Sequence, residues 1–360
     1  MRVIFCGSGT FGVPTLAAVR AAGHDVVRVY TQPSRPAGRG GGLRATPAGE
    51  SAAGLGLDVH ECANVNAPEV VEAIRALAAD VIVVVDFGQI IRASVRGAAA
   101  HGAVNLHGSL LPALRGAAPV NWAMIQGLDV TGVTTFSLVD AVDAGDVYLR
   151  APTAIDPRET AEELKGRLAA IGADVMVQTL AELASGRAQA VPQDHTLATP
   201  APRLTKADGV IDWAASAVTI RHRVHGTWRW PGGQAVFVGA RHTTAVTFAR
   251  VEAVQRDAGI LPASGGGGFV PSDSQANGMH NAGELAATKR SEDGTPASRE
   301  APRPGTVLSD GTVATGEGCL RVLEIQPAGK RLMSWQDFVN GYRVAAGDGF
   351  HTPPETPGTP

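Results

Sequence analysis

The first half of the chain alternates short apolar runs with amphipathic stretches. The apolar runs predict strands at residues 3–6, 26–31, 81–85 and 104–107. The run at 81–85 contains no polar residue, which is typical of a strand buried on both faces of a parallel sheet. Apolar residues recur with a helical period at 14–22, 68–78 and 160–184. This βαβ order predicts an α/β, Rossmann-like domain with a parallel sheet.

The second half has a different pattern, in which glycines separate short β-like runs. These runs lie at residues 235–238, 244–251, 306–307, 312–314 and 320–325. They predict a small β-barrel of the OB-like kind. Residues 257–304 are rich in Gly, Ser, Pro, Ala and charge and have little periodicity, so we expect a disordered insertion there.

These patterns divide the 360-residue chain into four segments. We predict a catalytic domain at 1–188 and a linker at 189–204, because 185–202 is rich in proline and small residues. The barrel domain follows at 205–350 and carries the insertion at 257–304. A disordered tail is predicted at 351–360.

Composition narrows the class of protein. At 44% hydrophobic the chain can bury a sizeable core, and it has no apolar run of the roughly 20 residues that span a bilayer. Cys6, Cys62 and Cys319 are odd in number and far apart, which favours a reduced cytoplasmic protein. The net charge of −3 is not that of a general nucleic-acid binder, so any RNA contact must come from local basic patches.

Three polar residues form a candidate catalytic group. Asn105 and His107 alternate with apolar residues at a predicted strand end, which places both on one face. An amide can donate to a developing oxyanion, and an imidazole can polarise the same carbonyl or move a proton. Asp143 lies in a Val-Asp-Ala-Gly-Asp turn, where Gly145 is expected to aim the carboxylate at His107 or at a water.

A glycine turn follows the first predicted strand. Residues 7–12 read Gly-Ser-Gly-Thr-Phe-Gly, the spacing of a dinucleotide-binding turn. The second strand ends in Val-Tyr-Thr at 29–31, with no acid to take a ribose hydroxyl. We therefore expect a tight structural turn and no nicotinamide dinucleotide.

The stretch at 104–119, Val-Asn-Leu-His-Gly-Ser-Leu-Leu-Pro-Ala-Leu-Arg-Gly-Ala-Ala-Pro, resembles the signature of the folate-dependent formyltransferases. Two further stretches narrow the resemblance to the branch that acts on methionyl-tRNA. One is Thr-Gln-Pro-Ser-Arg-Pro-Ala-Gly-Arg-Gly at 31–40, and the other is Gln-Pro-Ala-Gly-Lys-Arg at 326–331. The resemblance covers nearly the whole chain apart from 257–304 and the last few residues.

The resemblance implies a reaction and its site residues. The formyl group of 10-formyltetrahydrofolate would pass to the amino group of initiator methionyl-tRNA, without a metal and in an enzyme that we expect to be monomeric. Asn105, His107 and Asp143 would be catalytic. The folate contacts implied are Ser109, Leu110, Leu111, Pro112, Phe87, Gly88, Gln89 and Ile91. The tRNA contacts implied are Arg35, Arg39, Arg44, Lys206, Lys330 and Arg331.

This chain departs from the family pattern at three places. Ser34 stands where an Asp is usual, 41–42 is Gly-Gly where basic residues are usual, and Asp86 stands where a small residue is more common. The first two changes place more of the expected RNA contact on Arg39, with Arg35 and Arg44 in support.

Two other functions remain open at this stage. A formyltransferase for a small amine, such as a sugar nucleotide or glycinamide ribotide, would keep the catalytic group and would not need the arginine loop or the second domain. A folate- or RNA-binding protein without catalysis is the other alternative, and the intact catalytic group argues against it.

Overall fold

The computed structural model describes residues 1–37, 41–255 and 301–354. The first part of the chain forms an α/β domain. Its strands are β1 (Arg2–Gly7), β2 (Asp25–Thr31), β3 (Arg35–Ala37), β4 (Gly42–Arg44), β5 (Val59–Glu61), β6 (Val81–Val85), β7 (Ala103–His107), β8 (Val130–Ser137) and β9 (Val147–Ala154). Its helices are α1 (Val13–Ala21), α2 (Pro47–Gly54), α3 (Pro68–Ala76), α4 (Ala93–Arg96), α5 (Pro119–Ile125) and α6 (Ala161–Ala184).

One sheet organises this domain, in the strand order β5-β2-β1-β6-β7-β8-β9. The strands from β5 to β7 are parallel, whereas β8 and β9 run antiparallel to their neighbours. The predicted Rossmann-like class is confirmed. The sheet, predicted to be parallel, also carries the two antiparallel strands β8 and β9 at one edge. Sequence pattern missed β8 because threonines and a glycine interrupt its apolar signal.

Alternate residues of the central strands divide between two hydrophobic cores. Val3 and Phe5 of β1 pack with α1 and α6 on one face of the sheet. Ile4 and Cys6 pack with α3 and α4 on the other face. All four side chains are fully buried, and each buried aliphatic or aromatic side chain contributes about 1.5–3 kcal/mol. The sheet is therefore a firm base for the loops that leave its strand ends.

Helix α6 closes the domain, and a capping box fixes where it begins. The carboxylate of Glu163 accepts a hydrogen bond from the backbone N–H of Thr160 at 2.7 Å, and the Thr160 hydroxyl accepts from the backbone N–H of Glu163 at 3.4 Å. The helix predicted at 160–184 is confirmed, with Thr160 as its cap. Because α6 begins there, Lys165 reaches the strand ends where the site lies.

The second part of the chain forms the predicted barrel. Its strands are β10 (Gly233–Val238), β11 (Thr243–Val254), β12 (Val313–Ala314), β13 (Cys319–Pro327), β14 (Met333–Ser334) and β15 (Gly349–His351). Its helices are α7 (Ala217–Thr227) and α8 (Trp335–Tyr342). The strand path is β12-β13-β11-β10-β15, with β14 beside β13. Backbone bridges from Thr306 to Gly349 and from Val307 to Val313 join the two edges, so the sheet nearly closes on itself.

The end of the barrel lies later than predicted. His351 belongs to β15, and the Thr352 hydroxyl donates to the carbonyl of Ile211 at 3.0 Å. The tail predicted at 351–360 is therefore wrong for its first two residues, and 355–360 lie outside the described residues. Most of the predicted insertion, up to residue 300, also lies outside them, so its disorder stays a prediction. No helix in the described part of the chain is long and apolar enough to cross a membrane.

The two domains share a packed interface around α5 and α7. The side-chain amide of Asn121 donates to the carbonyl of Gly226 at 2.8 Å. A Cβ at Gly226 would lie 2.6 Å from the Ile125 side chain, so glycine permits this close approach of the helices. Ion pairs surround the contact, namely Arg229–Glu162 at 2.6 Å, Arg250–Glu163 at 2.7 Å and Arg158–Glu252 at 3.1 Å.

His225 of α7 is buried at this interface and makes stability depend on pH. Its Nε2 accepts a hydrogen bond from the backbone N–H of Val251 at 3.1 Å. Burial lowers the pKa of His225 to about 4, and the charges of Arg250 and Arg221 act in the same direction. In the unfolded chain the pKa is about 6.5, so the unfolded state binds the proton first as pH falls. This contribution to stability is full above pH of about 6.5 and is lost as the pH falls toward 4.

We therefore expect protonation of His225 to lower the free energy of unfolding by about 2 kcal/mol when the pH falls from about 7.5 to about 5. The variant His225→Gln keeps an acceptor for the Val251 N–H and removes the titrating group. Urea unfolding of both proteins at the two pH values measures the difference. The same pH dependence in both proteins would contradict the prediction.

Candidate active site

A cavity of about 430 Å³ opens where β1, β6 and β7 end. Its walls are residues 86–91, 105–108, 116–121 and 138–143, with Phe11, Val84, Lys165 and Arg203. In the sheet order the connections leave β1 and β6 in opposite directions, and open α/β sheets bind ligands at such a switch point. The volume lies within the range of small-molecule sites, about 300–1,000 Å³.

Asn105 and His107 lie two residues apart on β7, and both line the cavity. His107 is only 6% exposed and packs edge-on against Phe136. Its Nε2 lies 2.9 Å from the carbonyl oxygen of Leu114. Because a carbonyl can only accept, Nε2 carries the proton, and Nδ1 is the nitrogen left for proton exchange. The half-buried Asn105 amide supplies N–H donors on the same wall.

Asp143 lies opposite this strand, on the loop between β8 and β9. Its Oδ2 accepts a hydrogen bond from the backbone N–H of Gly116 at 2.8 Å and lies 3.8 Å from Nδ1 of His107. That separation is an ion-pair distance and too long for a hydrogen bond. Leu114, rather than Asp143, therefore orients the imidazole, and the carboxylate faces Nδ1 across a short gap.

The turn at Asp143 is built differently from the expectation. The left-handed residue is Asp143 itself, with φ of 51°. Gly145 is needed for another reason, since a Cβ there would collide with the backbone carbonyl of Ser137. The glycine lets the loop cross β8 closely, and this crossing brings the carboxylate to His107.

The segment after β6 supplies the apolar wall, as expected for Phe87, Gly88, Gln89 and Ile91. Phe87 and Ile91 are almost fully buried, whereas Ile90 is 72% exposed at the mouth. The Gln89 side chain is used within the loop: its Oε1 accepts from the Val65 N–H at 2.8 Å, and its Nε2 donates to the Cys62 carbonyl at 2.7 Å. Gln89 can therefore offer a ligand its backbone rather than its amide.

The other predicted folate contacts, Ser109, Leu110, Leu111 and Pro112, do not belong to the described lining of the cavity. The Ser109 hydroxyl donates to the Ala113 carbonyl at 2.6 Å, and Leu111 is buried with Phe136 and Val147. This stretch braces the turn that carries the chain back to Leu114. Its side chains thus support the catalytic strand end, and the folate contact that the resemblance implies for these four residues stays a prediction.

The glycine turn after β1 has a structural role. The backbone N–H groups of Ser8 and Gly9 both donate to the carbonyl of Asp86, at 3.0 and 3.1 Å. A Cβ at Gly9 would collide with the Asp86 carboxylate, so the glycine makes room for this residue. The turn thus binds the end of its neighbour strand, and the N–H groups of Ser8 and Gly9 are already used in these bonds.

The two cationic residues of the cavity, Lys165 and Arg203, escaped sequence analysis because they come from distant segments. Lys165 of α6 lies 3.4 Å from the Asp86 carboxylate, and Arg203 reaches the cavity from the linker. A lysine on the polar face of a predicted helix carries no local signal of such a role. Within the described ranges no three His, Cys, Asp or Glu side chains are grouped as a metal site would require.

The predicted arginine loop begins and ends in a small hairpin. Arg35 of β3 pairs with Arg44 of β4, and both are exposed. The hydroxyl of Ser34 and its backbone N–H both donate to the Glu61 carboxylate, the N–H at 3.0 Å. These two hydrogen bonds, the hydroxyl first, lower the pKa of Glu61. The serine that replaces the usual acid thus fastens the hairpin base. Arg39 lies outside the described residues, so its role stays a prediction.

The remaining predicted RNA contacts lie apart from the cavity. Lys206 is exposed on a short 3₁₀ turn at the start of the second domain. Lys330 and Arg331 are exposed in the loop between β13 and β14. Within that loop the Gln326 side chain donates to the Lys330 carbonyl at 2.9 Å, so the loop is held in shape while its cations face solvent.

Comparison with known proteins matches this architecture. The formyl transferase family model matches residues 1–180, and the model of the formyl transferase C-terminal domain matches 277–343. The methionyl-tRNA formyltransferase of Solibacter usitatus is 44% identical, covering 96% of each chain. That of Koribacter versatilis is 38% identical, covering 97% of this chain and 98% of the relative.

Solved structures share the fold at low sequence identity. HypX from Aquifex aeolicus, determined with tetrahydrofolic acid, aligns with a TM-score of 0.58 and 14% identity over 96% of this chain and 48% of its own. WlaRD, a sugar 3N-formyl transferase, aligns with a TM-score of 0.56 and 10% identity over 92% of this chain and 99% of its own. These structures match in fold alone. The family model and the full-length relatives show that the chain belongs to the formyl transferase family, in the branch of the methionyl-tRNA formyltransferases.

Proposed function

We propose that this protein transfers the formyl group of 10-formyltetrahydrofolate to the amino group of methionine on initiator tRNA. The observation that carries the proposal is that Asn105, His107 and Asp143 meet at one cavity in a chain with full-length methionyl-tRNA formyltransferase relatives. The chemistry is acyl transfer, which requires charge stabilisation at the formyl oxygen and removal of a proton from the amine.

The cavity fits a reduced folate in size and lining. Phe87, Ile90 and Ile91 supply apolar surface for a ring system, and the backbone of 86–91 offers polar groups to its edge. Lys165 and Arg203 would face the carboxylates of the glutamate tail. When bound, the co-substrate supplies an activated formyl group.

Asn105 and His107 would act on the formyl oxygen. The Asn105 amide donates to the position where negative charge develops, and a donor of this kind is worth about 3 kcal/mol. His107 is held by Leu114 with Nδ1 toward the cavity, so a proton on Nδ1 would be shared with the same oxygen or exchanged with the amine.

Asp143 would complete proton movement. It faces Nδ1 of His107 at 3.8 Å, so its negative charge stabilises an imidazolium when the ring takes a proton. Gly116 donates to the same carboxylate oxygen and keeps it in place. The other carboxylate oxygen is available to a water that collects the proton of the attacking amine.

The exposed cations would hold the RNA. Arg35 and Arg44 lie on paired strands, so their side chains form one basic edge of the hairpin, and the chain between them contains Arg39. Lys206, Lys330 and Arg331 lie on the second domain. Guanidinium groups suit phosphate oxygens, and such contacts weaken with salt.

We expect Arg35→Ala to raise the KM for charged tRNA and to leave tetrahydrofolate binding unchanged, because the side chain lies outside the cavity. The slope of log affinity against log salt should fall by about one unit per lost phosphate contact. Arg75→Ala is the matched control, since Arg75 is exposed on α3 in an ion pair with Glu72. Equal changes in the two variants would show that the hairpin does not contact the RNA.

A comparison of acceptors tests the proposed function. The protein is incubated with 10-formyltetrahydrofolate and, separately, with charged initiator tRNA, glycinamide ribotide and an amino sugar nucleotide. We expect formylated product from the tRNA alone. Formylation of a small amine in preference to the tRNA would make the small-amine formyltransferase the correct assignment.

A further inference from the structure

The linker between the domains lies against the catalytic segment. Val191 and Val147 exchange backbone hydrogen bonds at 2.8 and 2.9 Å. Further along, the Arg115 N–H donates to the Thr199 carbonyl at 2.8 Å, and the Ala201 N–H donates to the Arg115 carbonyl at 2.7 Å. We name residues 191–201 the strap, because they are fastened at both ends to elements of the first domain.

One buried side chain of the strap, Gln193, reaches the loop of Asp143. Its Nε2 donates to the carbonyls of Asp143 and Gly145, at 2.9 and 2.7 Å. Its Oε1 accepts from the guanidinium of Arg115 at 2.6 Å. Gln193 is 6% exposed, so water does not substitute for these bonds. The amide thus holds the loop at its left-handed residue and again two residues later.

Arg115 connects this contact to the other catalytic residue. The residue before it, Leu114, provides the carbonyl that orients His107, and the residue after it, Gly116, donates to Asp143. Three consecutive residues therefore position the catalytic groups. Leu114 orients the imidazole, and Gly116 holds the carboxylate. Arg115 binds Gln193, which in turn holds the carboxylate loop.

The Asp143 loop needs such a hold. Asp143 adopts a left-handed backbone conformation, which costs a non-glycine residue of order 1 kcal/mol and persists only when its surroundings impose it. Its neighbour Val142 is 64% exposed, so little apolar packing is available on that side. The hydrogen bonds from Gln193 supply the constraint that packing does not.

We propose that Gln193 is a positioning residue for formyl transfer, which fixes the Asp143 carboxylate beside His107 and so makes the linker part of the active site. The proposal rests on the proposed function. It identifies a residue that touches neither the cavity nor any reacting atom, and that acts through Asp143.

The test uses full-length Gln193→Met, which keeps the side-chain volume and removes the hydrogen bonds. Single-turnover transfer to charged initiator tRNA should slow by about 100-fold, the usual cost of displacing a reacting group by about 1 Å. The Kd for tetrahydrofolate should not change. Gln193→Glu, which keeps the bond from Arg115 and loses the donors, should show a loss of the same order and serves if Gln193→Met does not fold.

A double-mutant cycle separates positioning from general stability. In an Asp143→Asn background, the Gln193 substitution should have almost no further effect, because residues that act as one unit are not additive. Gln234→Met is the matched control, since the Gln234 amide donates to the Pro231 carbonyl at 3.1 Å, away from the cavity.

Each outcome is decisive for one of the two proposals. Equal losses from the Gln193 substitution in both backgrounds, or no loss in either, would overturn the positioning role. A wild-type protein that formylates no charged tRNA would instead overturn the proposed function.

Discussion

Replacing His107 by alanine is expected to slow single-turnover formyl transfer by about 10²–10⁴-fold, the range of a lost general acid–base group. The imidazole is buried, its Nε2 proton is held on Leu114, and its Nδ1 faces Asp143 at 3.8 Å. Substitution therefore removes the proton-exchanging atom and leaves Phe87, Ile90 and Ile91 of the apolar wall in place. Tetrahydrofolate binding should survive, and quenched-flow transfer with enzyme in excess measures the loss.

The control for this variant is His101→Ala, since His101 is exposed in a turn outside the cavity. Asp143→Asn should lose activity in the same direction, because an amide does not stabilise the imidazolium. Transfer by His107→Ala at the wild-type rate would remove His107 from the chemistry.

The second large effect is expected from Gly145→Ala. The added methyl would collide with the backbone carbonyl of Ser137, which cannot rotate away as a flexible side chain would. The Asp143 loop must therefore shift from β8, and we expect about a 100-fold loss of transfer rate. Overpacking of this kind also costs about 1–3 kcal/mol of unfolding free energy.

Gly166→Ala is the matched control for the glycine substitution. Gly166 lies exposed within α6, and a Cβ there meets no atom within 4 Å. Alanine should raise the free energy of unfolding by about 0.5–1 kcal/mol and leave transfer unchanged. If Gly145→Ala behaved like this control, the close crossing of β8 would not position Asp143.

Local periodicity was sufficient to predict the parts of the site that lie on one strand. Asn105 and His107 are two residues apart, and the period of a strand places both on one face. The expectation that Asp143 lies beside His107 is correct, but the reason for it, a turn made by Gly145, is wrong. The turn is left-handed at Asp143, and Gly145 serves a close approach that only the packed structure reveals.

Other parts depend on contacts between distant segments and have no local signal. Lys165 enters the cavity from α6, and Gln193 reaches the Asp143 loop from a proline-containing linker that looks like a simple connection. The stretch at 109–112 has a second role that its match to a family signature does not reveal. The signature predicts ligand contact, and in the structure the side chains of Ser109 and Leu111 also support the turn behind the cavity.

Transfer of a labelled formyl group tests the central claim most directly. Wild-type protein and His107→Ala are each mixed with formyl-labelled 10-formyltetrahydrofolate and charged initiator tRNA, and the methionine is then released by mild alkali. Label in N-formylmethionine from the wild type, and almost none from the variant in the same time, is the predicted result. Label that stays on the folate with the wild type, or equal transfer by both proteins, would contradict formyl transfer to methionyl-tRNA at this site.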